Sequence, residues 1–139
     1  MAFQGYLLKV GTSEVEVPTI FIEGTTYKVT PNQRMEWSAE RDTTGALHRE
    51  TVQNMPVKIE FQTIPRLTNA DVSLLMSIFA NAYTVEAERK LPVTFYDPEK
   101  DDYKTEDCYM PDIDFAISEI DVPNQIIYYE QLRIAFIGY

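Results

Sequence analysis

From Val57 to Gln62 the chain reads Val-Lys-Ile-Glu-Phe-Gln, apolar and polar in strict alternation. Successive side chains of a strand point to opposite faces, so this pattern buries Val57, Ile59 and Phe61 and turns Lys58, Glu60 and Gln62 outward. The same period runs through Arg34–Arg41, where Met35, Trp37 and Ala39 alternate with Arg34, Glu36, Ser38 and Glu40, the mark of a half-buried strand. It returns in Gln125–Ile137, with Tyr128, Leu132, Ile134 and Phe136 on one side and Ile127, Tyr129, Arg133 and Ile137 on the other. A chain written this way is committed to sheets.

Turn residues divide the remainder into short strands. Tyr6–Val10 and Val15–Val17 flank Gly11-Thr12-Ser13 as a first hairpin. Pro18 and Gly24 frame a predicted strand Thr19–Ile22, Thr25–Val29 follows, and Pro31-Asn32 makes the next turn. Pro56 lacks a ladder donor, which places a bulge or an edge near it. Later strands are expected at Leu91–Tyr96, Tyr103–Met110 and Ile113–Ile117, with the acidic turn Asp97–Asp102 between the first two.

One segment keeps a different period. Val72, Leu75, Met76, Phe79 and Tyr83 follow helical spacing, with Leu74 and Ile78 widening the stripe. Thr68 and Asp71 stand three apart at its start, as in a capping box. The helix is expected over about residues 68–83, covering one face of a sheet. The predicted fold is therefore mainly β with one α-helix, a β-sandwich or partly closed barrel. A chain of 139 residues is long enough to bury a sizeable core as a single domain, residues 1–139.

One part of this domain has little to bury. A hairpin arm is expected over about residues 34–54. Its turn is Asp42-Thr43-Thr44-Gly45, where Asp suits the first position of a type I turn and Gly tolerates positive φ at the fourth. The return strand Leu47–Gln53 carries only Leu47 and Val52 as clear apolar residues. An isolated two-stranded hairpin is marginal in water, so the arm needs contacts from elsewhere.

Chemistry is hard to find. His48, the only histidine, sits in the arm without an evident partner. There is no G-x-S-x-G elbow, no phosphate-cradling glycine loop and no paired-histidine metal motif. The run Asp97–Asp107 holds six acids, but it lacks the glycine and terminal Glu of an EF-hand loop, and Lys100 and Lys104 oppose a cation. It reads as a solvated turn. Cys108 is the only cysteine, expected to be half-buried, so no internal disulfide forms. No catalytic residue, metal site or cofactor is expected, and the chain is read as non-enzymatic.

The formal net charge of −10 argues against a nucleic-acid-binding domain, which needs clustered Lys and Arg. The start MAFQGYLLKV has no basic stretch leading into a long apolar core, and the longest apolar patches are far too short to span a bilayer. Synthesis in a cytoplasm without membrane anchoring is the expectation. Tyr96, Tyr103, Tyr109, Tyr128 and Tyr129 leave open a carbohydrate-binding face, against the commoner use of such rings in cross-strand pairs.

Several stretches together carry a family likeness: TPNQR (Thr30–Arg34), D-x-x-G-x-L-H-R (Asp42–Arg49), KIEF (Lys58–Phe61), LLMSIF (Leu74–Phe79), FYDPEKDDYKTEDCYMPDI (Phe95–Ile113) and the ending LRIAFIGY. In order and spacing, from about Tyr6 to Tyr139, they resemble a family of small proteins encoded in the tail-gene modules of bacteriophages and prophages of Gram-positive hosts. The resemblance implies a structural virion protein, similar in fold to tail-tube and distal-tail proteins that form rings, commonly sixfold, around a DNA channel. It implies no catalytic residues. Its partners would be further copies of the chain, in a hexameric ring, and other tail proteins, with DNA as a passing cargo that an acidic wall repels. A ring protomer offers two different surfaces to its neighbours. The arm residues Arg41, Asp42, Gly45, Leu47, His48 and Arg49 are the expected inter-subunit contacts. A host-surface carbohydrate-binding module at the tail tip is the alternative.

Overall fold

A computed structural model describes residues 3–34, 36–51 and 55–139. The protein is mainly β, with twelve strands and a single α-helix among the described residues, and its sheets do not close into a barrel. The largest sheet is antiparallel and seven-stranded, in the order β2-β1-β8-β9-β12-β6-β3. Its strands are β1 (Leu8–Val10), β2 (Val15–Glu16), β3 (Lys28–Thr30), β6 (Lys58–Gln62), β8 (Lys90–Asp97), β9 (Asp102–Tyr109) and β12 (Arg133–Gly138). A second sheet of three strands has the order β10-β11-β7, from β10 (Ile117–Asp121), β11 (Ile126–Tyr129) and β7 (Leu67–Thr68). The arm is a separate two-stranded sheet, β4 (Glu36–Arg41) and β5 (Leu47–Thr51).

The alternation at β6 is realised as written: Val57, Ile59 and Phe61 are buried, while the residues between them are not. Across from them β12 contributes Ile134 and Phe136, and β8 contributes Leu91, Val93 and Phe95. The helix α1 (Asn69–Ala82) lays Val72, Leu75 and Phe79 over this surface, with the Phe79 and Phe136 rings edge to face at 5.7 Å. Its start is the expected capping box: Asp71 N–H donates to Thr68 Oγ1, and the Thr68 N–H donates to Asp71 Oδ2, both at 3.2 Å. Thr68 is the N-cap and Tyr83 the C-cap, so the helix itself is one residue shorter at each end than its spacing predicts. Leu74 does not widen the buried stripe but stands 53% exposed. Pro92 lies in the interior strand β8, where its carbonyl still accepts from Gly11 N–H at 2.9 Å just past the end of β1.

Several expected strands differ. Thr19–Phe21 is a turn of 3-10 helix, closed by Phe21 N–H to the Pro18 carbonyl; Ile22 keeps only a single bridge, to Thr63. Gly24–Thr26 is a second such turn, with the Thr26 hydroxyl donating to the Glu23 carbonyl at 2.6 Å, so extended structure begins only at Lys28. In both places short-range bonds replace a continuous ladder, although the chain runs beside Gln62–Ile64, where the Glu23 N–H donates to the Gln62 carbonyl and the Ile64 N–H to the Phe21 carbonyl, both at 3.0 Å. Ile113–Ile117 is not a strand: pairing starts at Ile117 against Tyr129 and continues to Asp121. Gln125–Ile137 is two strands in different sheets, broken at residues 130–132. The break changes the phase. Tyr129, not Tyr128, packs toward the core in β11, whereas Leu132, Ile134 and Phe136 are buried beyond it.

Cys108 is wholly buried instead of half-buried, and burial, followed by the Glu106 and Asp107 charges, pushes its thiol up to about 12. The acidic turn is not uniformly solvated either: Asp97 is 1% exposed, and its Oδ1 accepts from Glu99 N–H at 2.9 Å.

Candidate assembly surfaces

The arm is locked by its turn. Asp42 Oδ1 accepts from the Thr44 N–H at 2.8 Å, the Thr44 hydroxyl at 2.6 Å and the Ala46 N–H at 3.1 Å, while Oδ2 lies 2.8 Å from His48 Nε2. The Gly45 N–H reaches the Asp42 carbonyl at 3.0 Å, the Asp42 N–H reaches the Ala46 carbonyl at 2.9 Å, and Gly45 has φ +86°. A left-handed residue in the third loop position is what lets a short turn feed two strands of the correct twist. With its hydrogen bond to Thr44 as the largest cause and that to His48 next, the Asp42 carboxyl is lowered to about 2. The carboxylate stands between hydroxyl and imidazole, so both serve the turn and neither activates the other.

Register gives the arm two unlike faces. Ala39 stands opposite Arg49, and Arg41 opposite Leu47, which puts these four on one side; Glu40 stands opposite His48 on the other. The six residues expected to form contacts, Arg41, Asp42, Gly45, Leu47, His48 and Arg49, thus lie together around the turn, and all are exposed. Ala39, expected to point inward, is exposed as well. Met35 and Val52 and the side chain of Trp37 lie outside the described residues. Among the described residues β4 and β5 pair only with each other.

A second surface was hidden from sequence reasoning. In the β10–β11 hairpin Ile120 faces Ile127 and Ile117 faces Tyr129, with a register shift between Ile117 and Glu119. The bulge brings Ile117 and Ile120, three apart in sequence, onto the same face. Phe115 adds to it, its ring edge to face with Tyr129 at 6.2 Å. The opposite face carries the charges beside Ile126: Arg66 pairs with Glu119 at 2.9 Å and lies over the Tyr128 ring at 4.4 Å, and Asp121 stands opposite Ile126. The shifted pairing brings Ile117 and Ile120 together, and simple alternation cannot reveal it.

The five tyrosines do not form one platform. Tyr96 and Tyr103 pack edge to face at 5.6 Å, with Tyr6 stacked on Tyr103 at 4.5 Å and Phe3 against Tyr96. Tyr109 packs on Tyr139, and Tyr128 and Tyr129 turn to opposite faces of β11.

Over residues 1–139 the chain matches a family described as a family of unknown function, DUF6711. The chain belongs to that family. No curated protein and no solved structure matches this DUF6711 chain. Its described residues hold no cluster of three or more His, Cys, Asp or Glu that could bind a metal ion, and no helix long and apolar enough to cross a membrane. Grooves on the surface of the DUF6711 fold include two of comparable size. One, of about 320 Å³, lies over β3, β6 and β12 beside Lys28, Glu60 and Arg133, whose guanidinium is 2.6 Å from Glu60. The other, of about 390 Å³, lies between Arg66, Tyr129 and Gln131. The second groove is also lined by Ser118 and Glu130, and the Ser118 hydroxyl donates to the Tyr128 carbonyl at 3.1 Å.

Proposed function

We propose that this protein is a non-enzymatic structural component of a bacteriophage tail, forming an oligomeric ring of the tail tube or of the distal tail and baseplate hub. The observation that carries the reading is the arm: a hairpin with a well-made turn, exposed on both described faces, paired with no other strand among the described residues. Such a hairpin gains little from itself, so a neighbouring subunit is its natural partner. The arm motif Asp42–Arg49 is also among the stretches that resemble tail-module proteins. The acidic balance fits the same role, since six copies at −10 each carry on the order of −60 and a wall of that sign lets DNA slide instead of adhering.

Deleting residues 42–48 tests it. The purified wild-type protein should form rings or stacked tubes by electron microscopy, and the deletion should leave a folded monomer. A wild-type chain that stays monomeric at every concentration, or a deletion that assembles normally, overturns the reading.

A further inference from the structure

The β10–β11 hairpin is poorly covered for a strand pair. Phe115, Ile117, Ile120 and Val122 are 47, 50, 60 and 73% exposed within eight residues of chain. Contiguous apolar exposure of this kind marks an interaction surface. Strand β10 is also the edge of its sheet, with no strand on its outer side among the described residues, so its backbone offers a template for another strand. The surrounding charge is net negative: residues 111–123 contain Asp112, Asp114, Glu119 and Asp121 and no Lys or Arg, and among the described residues Arg66 pairs with Glu119 and Arg89 lies 3.9 Å from Asp112, which leaves Asp114 and Asp121 uncompensated. An occupant must therefore be extended, partly apolar and cationic.

The chain itself carries such an element. The face of the arm that holds Ala39, Arg41, Leu47 and Arg49 is extended, bounded by strand edges, cationic, and apolar at Leu47, which is 47% exposed. Within one chain the arm and β10 belong to different sheets and do not pair. We infer that the apolar face and outer edge of β10–β11 in one copy seat the Arg41–Leu47 face of the arm from a second copy. This rests on the assembly role proposed above. Arm and seat are different surfaces, so the contact is head to tail, the kind that closes a ring or propagates a filament.

Cysteine pairing tests the contact directly. Protein carrying Leu47→Cys is mixed with protein carrying Ile120→Cys, or with Ile117→Cys, under a thiol oxidant. A disulfide needs Cα atoms within about 7 Å, so a covalent dimer should appear on mixing with at least one of the two. In parallel, Ile120→Asp should lower the assembled fraction about tenfold by sedimentation, as loss of a central apolar anchor does. Leu74→Asp, at an exposed apolar site on the helix, should leave assembly unchanged. If Ile120→Asp assembles like wild type while the arm deletion does not, the arm has another seat and this inference falls while the assembly role stands. Cross-linking of neither pair in assembled protein overturns it as well, and points to a different partner for the hairpin. A wild-type chain that never assembles overturns both.

Discussion

His48 and Asp42 face each other across the turn of the arm, with 2.8 Å between Nε2 and Oδ2. The imidazole joins Thr44 in holding the carboxylate ionised, and the carboxyl is lowered to about 2. Because the folded value lies below the ordinary one, the turn is favoured above the unfolded carboxyl pKa, at about pH 4, and loses that advantage as pH falls through about 2. Following the Asp42 carboxyl carbon by NMR should show a midpoint near 2 in wild type. Thr44→Ala should move the midpoint up, and by more than His48→Ala does, because the Thr44 contribution is the larger.

The reciprocal bonds between Thr68 and Asp71 satisfy two backbone donors at the start of α1. Thr68→Ala removes the side-chain acceptor for Asp71 N–H and should cost about 1 kcal/mol, read as a fall of a few degrees in Tm. Phe79→Ala removes a fully buried ring packed on Phe136 and should cost about 3–5 kcal/mol by denaturant titration.

That capping box and the buried stripe Val72, Leu75 and Phe79 were legible because helix signals are local. The alternation at Val57–Phe61 was legible for the same reason, since one face is buried along its whole length. Sequence reasoning failed where a nonlocal partner decides. Thr19–Ile22 has the residues of a strand, but only its end lies beside a partner, at the Ile22–Thr63 bridge, and the chain after Pro18 closes a 3-10 turn first. Ile113–Ile117 alternates, yet pairing runs from Ile117 onward, because β11 reaches only that far. The apolar face of β10–β11 depends on a bulge, so Ile117 and Ile120 stand three residues apart and strict alternation does not join them. The arm was visible through its turn chemistry, Asp42 to Gly45, and the division of its sides into Arg41 with Leu47 and Glu40 with His48 needed the register.

Gly138 tests how tightly the last strand is held. A Cβ there would sit 2.8 Å from the Val57 backbone nitrogen and 3.0 Å from Pro56 Cβ. The strand cannot retreat without losing the 2.8 Å bond from Gly138 N–H to the Val57 carbonyl. Gly138→Ala should therefore destabilise by about 1–3 kcal/mol, the usual cost of overpacking. Tm should fall while the turn of the arm, in a separate sheet from β12, keeps its NMR signature.

Cys108 should be inert in the folded protein. It lies on β9 with no exposed surface, and its thiol is pushed up to about 12, first by burial and then by Glu106 and Asp107. Reagents attack the thiolate, which is both scarce near neutral pH and shielded here. A coloured disulfide reagent should give no signal at pH 7.5 until denaturant is added, then one thiol per chain. Cys108→Ser places a hydroxyl in this apolar setting, so it should lower stability, whereas Cys108→Ala should be better tolerated. The same inertness leaves an introduced Leu47→Cys as the one reactive thiol of the native chain. Labelling at position 47 should then be fast in free protein and slow once the arm is covered, which reads arm occupancy without touching the core.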